Sequence, residues 1–298
     1  MLDGWICLDK PRGVSSNFAM SKARKILGGR TGYIGTLDPF ATGVLPIAAG
    51  RARRFIQFAN EKEKQYEFTV LYGAATDTYD NTGAVVERTD VVPDKSRILH
   101  VIPEFLGSIT QIPPKFSAIK INGVRACDLA RKRQPVELAS RKINIFDLKL
   151  LEFSEKKAKF FVSCSKGTYV RSLAVDMAHR MGTLCCVTEL RRTMAGFFSL
   201  KNAITLEILA KVVDTGKLGS YLIPLESPLD DIPALFLEED DVYRLKNGQV
   251  VQFMDTERLF LDMPAPYVKV FDNGTKQFCG VCGYTDGYLK PIRMFLSL

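Results

Sequence analysis

The segment GGRTGYIGTLDPFATGVLPIAAGR, Gly28 to Arg51, holds a single charged residue, Asp38, between Arg30 and Arg51. The chain as a whole is rich in charge, with 41 Lys and Arg against 33 Asp and Glu, so a solitary carboxylate without a local cation calls for an explanation. Pro39 disfavours the helical region for Asp38 and holds its backbone extended, while Gly32, Gly35 and Gly43 allow tight turns or close approach. The segment therefore reads as a preorganised loop. Two readings of Asp38 are open on these residues alone. An Asp before Pro commonly closes a turn by bonding its own backbone. A carboxylate among apolar neighbours is costly to take out of water unless a distant cation pairs with it or it is protonated.

One cation is oddly placed. The spacing of Val170, Ala174, Met177 and Met181 predicts a helix capped by Thr168 and stopped by Gly182. Arg171 falls in its first turn, where the positive end of the helix dipole disfavours a cation. Its side chain either points into water or meets a carboxylate.

Working outward, Ser15–Leu27 reads as a helix with Phe18, Ala19, Ile26 and Leu27 on its apolar face, closed by Gly28-Gly29. Lys64–Gly73 alternates, placing Tyr66, Phe68, Val70 and Tyr72 on one side of a strand, and Ile143–Phe153 and Ala158–Cys164 look similar. Strands and helices mix without a βαβ repeat, so the class is α+β. The character changes after about Ser220. A Pro-bearing stretch, Pro224–Pro233, and an acidic run, Glu238–Asp241, precede short β-like pieces at Leu259–Leu261, Tyr267–Phe271 and Phe278–Val281. The expected division is a larger unit over 1–220 and a small all-β unit over 221–298.

Charge follows the same division. The formal net charge is +8, yet the segment from Tyr221 onward carries seven Lys and Arg against twelve Asp and Glu, leaving 34 against 21 for the first 220 residues. A basic first unit favours a polyanionic partner. The densest stretch is 111–142, where Lys115, Lys120, Arg125, Arg131, Lys132, Arg133, Arg141 and Lys142 face only Asp128 and Glu137. Such a run is either a solvated face or a basic loop and helix able to follow a phosphate backbone.

The run GYIGTLDPFATGVLPIAAG closely resembles the catalytic motif of the TruB-type tRNA pseudouridine synthases. LDKPRGVSSN (Leu8–Asn17) resembles the N-terminal motif of that family, KQYEFTVLYGAATDTYDNTG (Lys64–Gly83) its tyrosine motif, and IPPKFSAIKINGVRACDLAR (Ile112–Arg131) its basic Pro-Pro segment. CSKGTYVRSLAVDM (Cys164–Met177) is similar to its arginine motif, and LRRTMAGFF (Leu190–Phe198) follows in order. The collinear motifs span roughly residues 4–200.

The resemblance implies a pseudouridine synthase fold: a mixed, mainly antiparallel sheet flanked by helices, with a small C-terminal PUA-like β domain. It implies that the enzyme isomerises a uridine, position 55 in the T loop of tRNA, with Asp38 as the nucleophile, Arg171 as its ion partner and Tyr66 stacked on the extruded base. Tyr169 and Leu190 match further pocket positions. Tyr33 stands where the family usually has a His that wedges into the RNA stack, and a flat phenol ring can still stack there. Lys10, Lys115, Lys120, Arg125 and Arg131 are the expected RNA contacts, with the Arg51, Arg53 and Arg54 cluster as an addition. The expected partner is the tRNA T arm, with no membrane, no obligate protein partner and a monomeric enzyme. No metal or redox cofactor is expected, since a carboxylate suffices to displace uracil.

Other classes are less well supported. Cys279 and Cys282 have metal or redox spacing but lack a second ligand pair, and seven scattered cysteines fit reduced thiols in a cytoplasmic protein. The apolar runs Val44–Ala49 and Val212–Leu225 are too short or too interrupted to cross a bilayer. GGRTG lacks the Lys-Ser/Thr of a phosphate-binding loop. A tRNA-binding RNA chaperone would not need a desolvated carboxylate, and a glycosidase-like hydrolase would need two.

Overall fold

The computed structural model describes residues 2–254 and 266–295. Its centre is a nine-stranded sheet whose main path runs Gly4–Lys10, Thr42–Ala49, Cys185–Ala195, Glu63–Tyr72, Lys157–Ser165, Arg141–Ser154, Gly107–Gln111. Every neighbouring pair on this path is antiparallel except one. Cys185–Ala195 meets Thr42–Ala49 in parallel through Arg191↔Thr42 and Arg192↔Gly43. Gly43 is required at that crossing: its φ is +104° and a Cβ would fall 2.1 Å from the Arg192 carbonyl oxygen.

The alternation of Glu63–Tyr72 is realised in space. Tyr66, Phe68, Val70 and Tyr72 are all buried, and Phe68 stacks on Phe160 of the neighbouring strand at 5.2 Å. Helix Val170–Arg180 covers this face with Val170, Leu173, Ala174 and Met177, together with Ile98 of helix Lys95–Val101. Burying each such side chain stabilises the fold by roughly 1.5–3 kcal/mol. A second cluster joins helices Ser16–Leu27 and Leu206–Asp214 to the first strands through Ala19, Ala23, Leu209, Ile6 and Leu45. Ser15 caps the first of these helices by accepting from Phe18 N at 3.1 Å, and Gly28 closes it at φ +66°.

The capping expected of Thr168 does not occur. Tyr169 is the N-cap residue and gives no side-chain cap bond; Thr168 Oγ1 instead donates to the Ser165 carbonyl at 2.9 Å. The reason is the tight turn at Gly167, φ +89°, which sends the Thr168 hydroxyl back toward the preceding strand.

A second, five-stranded sheet begins at Ala234–Leu237 and includes Tyr267–Asp272, Phe278–Thr285 and Tyr288–Met294, with one helix, Glu239–Lys246, beside it. Residues 221–233 run back along the first sheet, where Trp5 and Ile223 exchange backbone hydrogen bonds at 2.8 and 2.9 Å. The two sheets share an aromatic seam in which Phe55 meets Phe278 at 5.4 Å and Phe295 at 5.2 Å. The strand expected at Leu259–Leu261 lies outside the described residues. Among the described residues no helix is long and apolar enough to cross a membrane.

Candidate active site

Asp38 sits in the loop that leads into the parallel crossing, and that loop is pinned from several sides. Ser16 Oγ donates to the Leu37 carbonyl at 3.0 Å and accepts from Leu37 N at 2.8 Å. Gly13 N donates to the Pro39 carbonyl at 2.8 Å, and Ala41 N to the Asp38 carbonyl at 3.1 Å. Lys10, which was expected to hold phosphate, belongs to this clamp instead. Its side chain is fully buried and its ammonium donates to the carbonyls of Val14 (2.7 Å), Pro11 (2.9 Å) and Pro39 (3.3 Å). Burial lowers its pKa to about 8, against the pull of Asp38. The N-terminal motif is thus the splint of the Asp38 loop.

Arg171 answers the anomaly of the lone carboxylate. Its side chain is 3% exposed, and Nε lies 2.8 Å from Asp38 Oδ2 in an ion pair whose angle is not that of a hydrogen bond. Nη1 donates to the Thr78 carbonyl at 2.7 Å and Nη2 to the Phe116 carbonyl at 2.9 Å, so the guanidinium ties three separate segments together. A second carboxylate, Asp80, stands 3.5 Å from Nη1. Asp80 was not foreseen from the sequence. It is buried and held by Thr82 N (2.9 Å), Thr82 Oγ1 (2.5 Å) and Thr78 Oγ1 (2.9 Å), next to Tyr79 with its unusual φ of +64°. Two acids therefore offset the cation at the helix start.

These groups border a cavity of about 340 Å³, the lower end of the range for ligand sites. Asp38, Tyr66, Tyr169, Arg171 and Leu190 all line it, as expected; so do Arg141, named from the sequence only as one of the cations of the 111–142 stretch, and Lys64 and Arg192, which were not singled out. Asp38 keeps 31% of its side chain accessible, and among the described residues nothing hydrogen-bonds its other oxygen, Oδ1. Burial raises the Asp38 pKa above the usual carboxylate value; Arg171 and Lys10 pull it down, while Asp80 pushes it further up.

Tyr66 faces Arg192 in strand register, and burial raises the pKa of its phenol, which stays protonated. Arg192 itself is buried, donating from Nε to the Val44 carbonyl and from Nη2 to the Gly35 carbonyl, both at 2.7 Å. Its neighbour Arg191 points the other way and grips Asp9 with two nitrogens at 3.1 and 2.7 Å. Tyr169 is fixed by Gln111, whose Oε1 accepts from Tyr169 N at 2.8 Å and whose Nε2 donates to the Tyr169 carbonyl at 3.1 Å.

The remaining expected contacts fall elsewhere. Tyr33 does not line the cavity; it lies on the short strand Thr31–Tyr33, partly buried against the cluster around Ile6 and Leu45. Lys115, Lys120, Arg125 and Arg131 are exposed on the basic segment, whose Ala118 and Ile119 form one wall of the cavity. Arg51 is tied to Asp3 at 2.6 Å, while Arg53 and Arg54 border a separate cavity with Arg30.

Two family models cover most of the chain: the TruB family pseudouridylate synthase N-terminal domain over residues 23–170, and the tRNA pseudouridylate synthase B C-terminal domain over 171–230. The chain is 39% identical to tRNA pseudouridine synthase B of Caulobacter vibrioides, covering 99% of this chain and 96% of that one. With the protein of the same name from Ehrlichia canis it shares 41% identity over 98% of this chain and 97% of that one. Among solved structures, a Cbf5-Nop10-Gar1 complex contains a chain that matches with a TM-score of 0.71 at 24% identity, over 95% of this chain and 78% of that one. An H/ACA RNP bound to a substrate RNA containing 2′-deoxyuridine matches with the same TM-score at 21% identity, over 99% and 85%. Those two likenesses concern the fold; the sequence relatives and the family models, joined across Val170 and Arg171, establish that this chain belongs to the TruB family of pseudouridylate synthases.

Proposed function

We propose that the chain isomerises a uridine of tRNA, position 55 in the T loop, to pseudouridine, with Asp38 as the attacking carboxylate. The observation that carries this reading is the pairing of Asp38 with Arg171 at the edge of a cavity of about 340 Å³, room for an extruded nucleotide, with one carboxylate oxygen held and the other left for substrate. In the reaction the N1–C1′ bond breaks, a C5–C1′ bond forms, and overall the C5 proton is exchanged for one on N1. Nothing is oxidised or reduced. Attack at C1′, attack at C6 and proton abstraction leading to a glycal all begin at the same carboxylate.

Each neighbour has a derivable part. Arg171 favours the ionised form of Asp38 and fixes its orientation, while partial desolvation makes that carboxylate more reactive than one in water. Tyr66 and Leu190 supply aromatic and apolar surface for a base taken out of its stack. The exposed cations Lys115, Lys120, Arg125 and Arg131 give the T arm a phosphate-following surface. The reading includes a catalytic unit over 1–220, a C-terminal β unit over 221–298, and a monomer acting in the cytoplasm. A purely chaperoning role gains no support from a charged group held at a cavity edge.

The test is an unmodified tRNA transcript incubated with the protein and mapped by carbodiimide primer extension. One new stop at the T-loop uridine is expected. A transcript left without any stop contradicts the proposal.

A further inference from the structure

The cavity beside Asp38 is lined by one arginine whose situation differs from that of the other two. Arg171 and Arg192 are each engaged by carbonyls or carboxylates. Arg141 has neither. Its Nε and Nη2 are buried and make no hydrogen bond, and among the described residues no carboxylate pairs with it. Among the described residues the guanidinium's one partner group is the ring of Tyr169, whose centroid lies 4.8 Å from the guanidinium carbon. The backbone of Gly167, whose φ is +89°, passes close to the same guanidinium: a Cβ there would stand 3.7 Å from Nη1, in ordinary contact.

A partly desolvated cation with no counter-charge is an unfavourable arrangement. A cation–π contact offsets only part of that cost. The fold nevertheless holds Arg141 in place, through its strand and through the ring it lies over. Arg141 begins the strand Arg141–Ser154, in register with Gln111, and Gln111 is the residue that fixes Tyr169. The side chain is therefore preorganised for something that arrives from outside. Because Arg141 lines the same cavity as Asp38, that something comes with the substrate. A uridine whose ribose faces Asp38 carries a phosphate on each side of its sugar, and an anionic oxygen is what a guanidinium without a partner binds best.

We propose that Arg141 is the anion anchor of the active site: held against the ring of Tyr169 without a counter-charge, it takes a non-bridging phosphate oxygen of a linkage flanking the target uridine. This rests on the reading of the cavity as a uridine site. The binding of a backbone phosphate so close to the reacting sugar sets the depth to which the nucleotide enters, which makes Arg141 a positioning residue for Asp38 chemistry.

The test uses the full chain, a T-arm stem–loop RNA, and the same RNA with a neutral methylphosphonate at either linkage of the target uridine. Binding is measured by titration across a range of salt, separately from pseudouridine formation. Wild type is expected to bind one of the methylphosphonate RNAs about tenfold or more weakly. Arg141→Met is expected to bind the unmodified RNA with a similar loss, to be indifferent to that methylphosphonate, and to have a salt slope smaller by about 0.7–0.9. Its melting temperature is expected to equal or exceed that of wild type, because an unpaired charge has been replaced by an apolar chain of similar length. Additive losses, an unchanged salt slope, or a sharp drop in melting temperature would each overturn the anchor. Coupling between Arg141 and the phosphate in RNA that the wild type binds but never converts would uphold the anchor and count against the isomerase reading instead.

Discussion

Arg171 Nε stands 2.8 Å from Asp38 Oδ2, and the same guanidinium lies 3.5 Å from Asp80 through Nη1. One cation thus serves two carboxylates of unlike exposure, Asp38 open to the cavity and Asp80 sealed beneath it. The arrangement sets the protonation behaviour of the site. Burial raises the Asp38 pKa, Arg171 lowers it and Asp80 raises it again. Since the ionised form reacts, the rate falls as pH drops through that raised pKa, at a higher pH than for a solvated aspartate. Asp80→Asn removes the like charge and is expected to move the acid limb to lower pH; Arg171→Gln is expected to move it higher. Single-turnover rates across pH check both directions, and two variants shifting the same way would contradict the assignment.

Stability separates the same two residues. With its pKa raised in the folded state, Asp38 binds a proton more tightly folded than unfolded, so its ionisation weakens the fold as pH rises. Asp38→Asn is therefore expected to leave the melting temperature at neutral pH unchanged or higher. Arg171→Ala strands a buried Asp80 and frees three segments, and is expected to cost about 3–5 kcal/mol. Thermal melts of the two variants at equal pH are the check.

Tyr66 contributes a ring and a hydroxyl, and the two are separable. Tyr66→Phe keeps the ring that borders the cavity and is expected to leave RNA affinity near wild type. Tyr66→Ala opens a void among Phe68, Leu190 and their neighbours and is expected to destabilise the protein by about 3–5 kcal/mol. Comparing KM and kcat for Tyr66→Phe shows what the hydroxyl adds: a fall in kcat alone assigns it to a step after binding.

Lys10 offers a check on the loop clamp. Lys10→Met removes the donor to three part-buried carbonyls, of which Pro39 keeps its bond from Gly13 N, and is expected to cost about 1–3 kcal/mol in all. A lower melting temperature with an unchanged salt slope for RNA binding is expected. A slope reduced by about one would return Lys10 to the phosphate-binding set.

The legible part of the site was the part that broke local rules. Asp38 stood out because its neighbourhood lacks charge, and Arg171 because a cation sits at the start of a helix; the residues alone left each with two readings, and the family resemblance paired them. Asp80 gave no such signal, since TDTYDNTG is polar throughout and reads as an ordinary turn until the fold brings it under Arg171. Lys10 misled for the converse reason. A lysine before Pro-Arg-Gly looks like a surface residue, and only the packing of the Asp38 loop over it makes it a buried clamp. Arg191 and Arg192 show the same limit: strand alternation requires that they face opposite ways, yet which of them turns inward to Gly35 depends on the register with Tyr66. Period-two alternation marked the strands Glu63–Tyr72, Arg141–Ser154 and Lys157–Ser165, but Thr42–Ala49 lies in the segment that reads as a loop and Cys185–Ala195 went unread, and the parallel crossing between those two rests on a glycine contact between residues far apart in the chain.

The most direct measurement compares wild type with Asp38→Asn on unmodified tRNA, following both filter binding and carbodiimide-detected pseudouridine under single-turnover conditions. The account predicts affinity within a fewfold of wild type and a rate lower by at least about 10³-fold, since the attacking group has gone while the cavity and its cations remain. Pseudouridine formed by the variant at a rate comparable to wild type would contradict it.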